Sequence, residues 1–436
     1  MVYRLQTGIT RAKRKVSIMT IGIATVVFPA VLALSGGGAK AAVGGPICNV
    51  PTDYATIQAA VNDPGCTTVN VAAGTYTENV VVDHSLTLNG VQAGVDARTR
   101  SGSESIINGG TAADITVNAD NVTVDGFTLN GPVSSGTAAI VMQNGNTGET
   151  IQNNIVNNPG RAASITTSNT VFRKNVVNNT ATSSDGFQAN TIPLHDLTIS
   201  DNNFGGANAA IYNADITVIE GNSNVIVSGN KSTGDGTLIA LFKTANAQIT
   251  GNTVVGDSGS SAIYIGGANS NVTVSGNQVS AAASAVKVAN SFGDGANSSV
   301  TITGNTLQNN QYGVNVAANS ENGTVVAHKN AITGNAVFGV NNDPASGTTT
   351  LDGTCNWWGA ANGPGPVGPG SGDKVSTGVA FSPWLITSNL NGSCIGGNVA
   401  TNKDQCKNDG WMTLTRANGS TFKNQGDCIQ YVNTGK

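Results

Sequence analysis

Charge is scarce in this chain. Only 11% of its 436 residues are Asp, Glu, Lys or Arg, against roughly a quarter in an ordinary globular domain. Lys and Arg form no stripe or patch, which excludes the electrostatic footprint of a nucleic-acid binder. Aromatic residues reach 5% and histidines number three, so stacking platforms for sugars are few and a zinc site lacks its usual ligands. No helical period of useful length interrupts the middle of the chain, which excludes crossover helices between strands. Beyond residue 34 no apolar run is long enough to span a bilayer. The formal net charge is −4. Arg4, Arg11, Lys13, Arg14, Lys15 and Lys40 all fall in the first 40 positions, and without them 15 basic residues face 25 acidic ones, a balance of −10. An anionic glycan or membrane surface therefore gets no long-range attraction.

What the chain has instead is glycine and asparagine. There are 56 glycines, and asparagine is nearly as common. Nine short alternating apolar runs each close on an asparagine: Asn154, Asn175, Asn202, Asn230, Asn252, Asn277, Asn305, Asn330 and Asn356, spaced 21 to 28 residues apart. A fixed period in this range marks a repeat architecture, in which each unit contacts only its neighbours. One unit reads as AVKV, a polar loop, VTIT, Gly304-Asn305 and TLQNN, which is two clear strands and a third short one with period-two alternation. Short strands in one sense with tight bends imply a parallel β-helix. Roughly twelve coils would fit between residues 50 and 350, a rod about 55–60 Å long. The closing asparagine is expected at a bend needing bridging or left-handed backbone, stacked with its neighbours into a hydrogen-bonded ladder.

Residues 1–15 are basic, Val16 to Leu34 are apolar, and Ala39-Lys40-Ala41 offers a small-x-small cleavage site. The layout reads as a signal peptide over 1–41, with an uncleaved anchor as the rival. Six cysteines follow: Cys48, Cys66, Cys355, Cys394, Cys406 and Cys428. An even count outside the cytoplasm favours disulfides, although six cysteines allow 15 connectivities. Clustering near the two ends makes 48–66, 355–394 and 406–428 the simplest pairing.

The segment YATIQAAVNDPGCTTVNVAAGTYTENVVVDHSLTLNG (54–90) resembles the opening of the pectin-lyase-like, right-handed parallel β-helix superfamily. The resemblance implies a capping helix from Ala55 to Val61 and a framing G-x-Y-x-E turn at Gly74, Tyr76 and Glu78. CNWWG (355–359) and VAFSPWL (379–385) are similar to the last coil of exported bacterial β-helix proteins, with Trp357, Trp358 and Trp384 sealing the core. Residues 406–436 resemble a small two-cysteine module of secreted bacterial proteins, with Trp411, Phe422 and Tyr431 as a miniature core. The expected organisation is a β-helix over 42–395 (N-cap 48–75, terminal coil 349–395), a linker over 396–405 and the module over 406–436.

The superfamily carries lyases, hydrolases, esterases, epimerases, adhesins and inert stalks, so fold does not settle activity. The NTD, DD, GHG and RIK segments of polygalacturonases are absent. So are the WiDH and RxPxxR segments of pectate lyases and the QDTL and DFIFG segments of pectin methylesterases. Pro193-Leu194-His195-Asp196 faintly resembles the D-P-H-D segment of alginate epimerases without its first aspartate. Ionisable residues concentrate at Arg173, Lys174, Asp185, His195, Asp196 and Asp201. Of these, Arg173, Lys174, His195, Asp196 and Asp201 are the catalytic candidates if a C5 proton is to be abstracted beside a stabilising cation. Asp235 and Asp294 in Gly-Asp-Gly turns lack the oxygen spacing of a calcium loop, and no cofactor is expected. The expectation is a secreted or cell-surface monomer, structural or polysaccharide-binding, with no nucleic-acid partner and no membrane contact after signal cleavage. A uronate lyase or epimerase and a passive stalk are the alternatives.

Overall fold

The computed structural model describes residues 45–436 except 133, 135, 144, 158–159, 180–184, 190, 207–213, 235, 323, 344–349 and 418. The predicted signal segment lies outside the described residues, as does Asp235. Among the described residues no helix is long and apolar enough to cross a membrane.

The chain winds as a right-handed parallel β-helix. Three parallel sheets of 14, 13 and 11 strands line its sides, here called sheets A, C and B. Each strand pairs with its counterpart one coil away. Val300–Thr303, for example, registers with Val272–Ser275 before it and Val325–His328 after it. Period-two alternation points one side chain of each pair inward. In sheet A the inward positions run in register from Val69 through Ile151 and Phe172 to Ala327, all without solvent exposure. Burying each such side chain contributes on the order of 1.5–3 kcal/mol. The rod therefore gains stability coil by coil, with no deep centre.

Where sheet A turns into sheet B, the nine asparagines form one column with at most 1% exposure each. Each Oδ1 accepts from the backbone N–H and the Nδ2 of the asparagine one coil earlier, at 2.9–3.0 Å and 2.9–3.3 Å. The second Nδ2 hydrogen donates to an inward residue's carbonyl one coil back, as Asn252 does to Val227 O at 3.0 Å. The column starts where Phe127 donates its N–H to Asn154 Oδ1. One expectation needs correction. The left-handed residue is the one before each asparagine: Asn153, Lys174, Asp201, Gly229, Gly251, Gly276, Gly304, Lys329 and Cys355 all have φ between +52° and +68°. That residue makes the corner, which leaves the asparagine backbone in ordinary geometry with its side chain turned inward.

The ends are closed. The helix Ile57–Val61 buries Ile57, Ala60 and Val61 over the first coil. Glu78 holds it there by accepting from the N–H groups of Ile57 and Gln58, both at 3.0 Å, which satisfies two donors at the positive end of the helix. At the far end Trp358 and Trp384 are buried, whereas Trp357 is only half-buried because it registers with Ala331, on the opposite side of the strand from the inward Ile332. A Cβ on Gly396 would sit 2.2 Å from Trp384 Nε1, so only glycine admits the ring. Disulfides join Cys48–Cys66, Cys355–Cys394 and Cys406–Cys428.

The predicted linker does not stand apart from the module. Val399 bridges to Thr415 and Ala400 is buried with Cys406, Phe422 and Cys428, against which Trp411 and Tyr431 pack. The unit also rests on the solenoid, since a Cβ on Gly419 would meet Ala361 O at 1.8 Å. Its helix Gln425–Thr434 is capped by Asn424, whose side chain accepts from Asp427 N.

Candidate functional site

The charges singled out from the sequence separate into three places. His195 and Asp196 open the strand His195–Ser200 of sheet A, while Asp201 follows its far end. These ends are roughly 17 Å of extended chain apart. Arg173 registers with Ser200 and Lys174 N–H donates to Ser200 O, so Arg173, Lys174 and Asp201 share the far end. Asp185 lies on sheet C instead. The candidates thus stand at separate places and do not converge on one site.

Each group has its own local partners. Arg173 Nε donates to Gln152 Oε1 at 2.8 Å. Asp201 lies 3.6 Å from Arg98, whose guanidinium forks onto Asp96. The hydrogen bonds from Arg98 hold the Asp96 carboxyl below the usual range. Arg98 belongs to an excursion over 90–104 that the sequence reading did not single out. Its Arg100 has a fully buried side chain and pairs with Glu104 at 2.9 Å. The same guanidinium donates to Phe127 O and Asn153 O, which pins the excursion across successive coils. Asp185 is buried and accepts from Thr217 at 2.7 Å, Gln188 at 2.7 Å and Arg161 at 3.1 Å. Burial pushes its pKa up against the pull of those three donors. Asp294 pairs with Lys243 at 3.2 Å.

Asp196 turns out to belong to a second amide column, on the outside of the rod. Asn224 Nδ2 donates to Asp196 Oδ1 at 3.0 Å, Asn246 Nδ2 to Asn224 Oδ1 at 3.2 Å, and Asn271 Nδ2 to Asn246 Oδ1 at 2.8 Å. Asn169, Asp196, Asn224, Asn246, Asn271 and Ser299 stand in register, each with φ between +52° and +57°. Asparagine and aspartate tolerate that left-handed kink better than most residues. The signal was present in the sequence: each of these six precedes a buried-column asparagine by six positions, as Asn246 precedes Asn252. His195 Nδ1 closes the column from one end, 2.8 Å from Asp196 Oδ2. That contact and the Asn224 donor lower the Asp196 pKa, so the carboxylate is a poor proton acceptor.

Beside the outer column runs a trough on sheet A. One part, about 300 Å³, is lined by Asp196, Thr198, Asn224, Ile226, Asn246 and Gln248. A second part, about 180 Å³, continues past Asn246 and Gln248 to Asn271 and Thr273. Ile226, 37% exposed, is an apolar patch on its floor. Sheet C offers a different surface. There Phe242 packs 5.9 Å from both Tyr264 and Phe292, and Phe292 is 67% exposed at φ +63°, a strained setting for a phenylalanine.

A family described as periplasmic copper-binding protein NosD matches residues 213–358, about a third of the chain. A cell surface glycoprotein of Methanothermus fervidus is 36% identical over 115 residues, which are 25% of this chain and 17% of that protein. Among solved structures, the A-module of the mannuronan C-5 epimerase AlgE4 of Azotobacter vinelandii aligns with 16% identity and a TM-score of 0.44, covering 78% of this chain and 95% of that one. The Streptococcus pneumoniae surface protein and adhesin PfbA aligns with 14% identity and a TM-score of 0.29, covering 68% and 82%.

Proposed function

We propose that this protein is a β-helix of the cell surface or extracellular space that binds polysaccharide through the sheet A trough. A place outside the cytoplasm draws support from the periplasmic family over 213–358, the cell-surface relative and the three disulfides. The observation that carries the binding reading is the exposed amide column with a groove beside it. Its groups repeat at the coil spacing of about 4.8 Å, close to the rise of one sugar in an extended chain, and amides match sugar hydroxyls as donors and acceptors.

The copper in the family's description does not fit the residues here. Among the described residues no three His, Cys, Asp or Glu stand together to hold a metal. His84, His195 and His328 lie in separate coils, each against its own aspartate, and Met142 is buried in the core.

Incubation with pectins, alginates and bacterial and host glycans tests the reading, scoring both retention and altered product. Retention without product, weakened by Asn246→Ala, is the expected result. Product abolished by His195→Ala would replace it with an enzyme. Loss of retention in Phe292→Ala but not in Asn246→Ala would move the site to sheet C. Retention of no polymer would leave a stalk.

A further inference from the structure

Resting on the polysaccharide reading above, we infer that the sheet A trough takes neutral polysaccharides and turns uronate polymers away, with Asp196 as the residue that selects between them. Two rows of outward side chains line the trough. The first is the outer column, Asp196, Asn224, Asn246 and Asn271. The second lies two residues further along each strand, where Thr198, Ile226, Gln248 and Thr273 stand in register. Rungs repeat about every 4.8 Å along the rod, so a chain lying lengthwise presents about one sugar to each coil.

The lining suits hydroxyl groups. Asn224 and Asn246 each use one Nδ2 hydrogen and one Oδ1 lone pair within the column, which leaves one donor and one acceptor facing outward at each rung. A sugar hydroxyl donates and accepts through a single oxygen, so it satisfies either half of a rung. Ile226, the apolar side chain on the trough floor, offers a surface to the C–H face of a sugar ring.

Charge decides which chain is admitted. Asp196 holds Asn224 Nδ2 at 3.0 Å and His195 Nδ1 at 2.8 Å, and its side chain is 47% exposed at the head of the trough. An ionised carboxylate only accepts, so it takes a hydrogen from a neutral sugar's hydroxyl and meets nothing but acceptors on a uronate carboxylate. No lysine or arginine lines either part of the trough. Arg173, one coil away beside Ser200, lines neither. A uronate polymer carries a carboxylate on every sugar, at nearly the coil spacing, and a chain lying along the column cannot keep all of them clear of Asp196. Two like charges placed together with no cation between them set specificity by exclusion.

The test compares polygalacturonate and alginate each with its own carboxyl-reduced form, in which C6 bears a hydroxyl and the linkages are unchanged. Retention of the full protein on the immobilised polymers is measured at low salt and pH 8, which keeps imidazole charge out of the comparison, with a chelator present so that no divalent cation bridges two carboxylates. A reduced polymer should hold the parent at least about four-fold more tightly than its acidic form, the factor that one pair of unit charges about 5 Å apart in water supplies. The ratio should shrink in 1 M salt, where the screening length is about 3 Å. Asp196→Asn, which suits the left-handed backbone at φ +57° and retains an acceptor for Asn224, should at least halve the ratio by raising retention on the acidic polymer. Asp404→Asn makes the same change in net charge at an exposed residue of the C-terminal module and should leave the ratio where it was. Equal or stronger retention on the acidic polymers would overturn the inference and leave polysaccharide binding standing. A ratio unmoved by Asp196→Asn, or moved as much by Asp404→Asn, would overturn the role of Asp196. Retention on neither form of either polymer overturns the inference, and if no other glycan retains the protein the broader reading falls with it.

Discussion

The molecule stacks side-chain amides twice on the edges of the same sheet, at the same coil spacing, with opposite surroundings. In the inner column every asparagine is buried, and each rung past Asn154 gives two Nδ2 hydrogen bonds and receives two at Oδ1. In the outer column the asparagines are exposed and each passes one hydrogen bond to its neighbour. The two ladders also run in opposite directions: inner amides donate toward the C-terminal end of the rod and outer amides toward the N-terminal end. A fully satisfied buried amide is a structural element because removing it orphans its partners. A half-used exposed amide keeps donors and acceptors for something else. Residue type alone therefore decides nothing here; burial and unspent hydrogen bonds do.

The largest effect that would sharpen this contrast is on the inner column. Asn252→Ala strips the acceptor from Asn230 N–H and Nδ2 and the donor from Val227 O. Leaving buried polar groups unmade costs about 1–3 kcal/mol apiece, so a loss of roughly 3 kcal/mol or more is expected, read as a lower denaturation midpoint. Breaking the staple at the column's end comes next. Cys355 occupies the left-handed corner before the last rung, Asn356. Replacing Cys355 and Cys394 with serine should cost about 2–4 kcal/mol and speed proteolysis near residue 390 before the central coils open.

A third prediction concerns a buried polar group that no ladder satisfies. Asp114 Oδ1 accepts from Gly109 N–H at 2.6 Å, but Oδ2 has no partner, and burial raises its pKa from 3.8 to about 7. The folded state then holds a proton that the unfolded state has lost between about pH 4 and 7. Stability should accordingly fall as pH rises through that window. Asp114→Asn keeps the Gly109 contact and removes the titration. It should be more stable than the parent at pH 7.5, by on the order of 2 kcal/mol, with the advantage vanishing near pH 4. Equal slopes for both proteins would contradict the assignment. The smallest effect on stability belongs to the outer column: Asn246→Gly, which removes the amide and keeps the left-handed backbone at φ +56°, should change the midpoint by less than about 0.5 kcal/mol.

Much of the fold was legible because it is written in local rules. Period-two runs and the spacing from Asn154 to Asn356 dictate coils, and the paired cysteines near each end mark where the coils stop. The G-x-Y-x-E turn was legible as structural, although only the packed chain shows Glu78 capping the helix Ile57–Val61. The candidate site was hardly legible. His195 is near Arg173 and Asp201 in sequence yet lies one strand's length away from both, and Arg98 reaches Asp201 from about a hundred residues away. The outer column escaped notice because its asparagines sit among other polar residues, where alternation carries no signal. Only their constant offset of six from the inner asparagines marks them.

The central claim is that one kind of rung is structural and the other is free to bind, and a single paired measurement addresses it. Asn252→Ala and Asn246→Gly are compared for denaturation midpoint and for retention on the polysaccharide that the parent holds. The account predicts a large loss of stability in the first, and in the second a parent-like midpoint with retention reduced at least several-fold. Full retention by Asn246→Gly, or equal destabilisation by both substitutions, would contradict it.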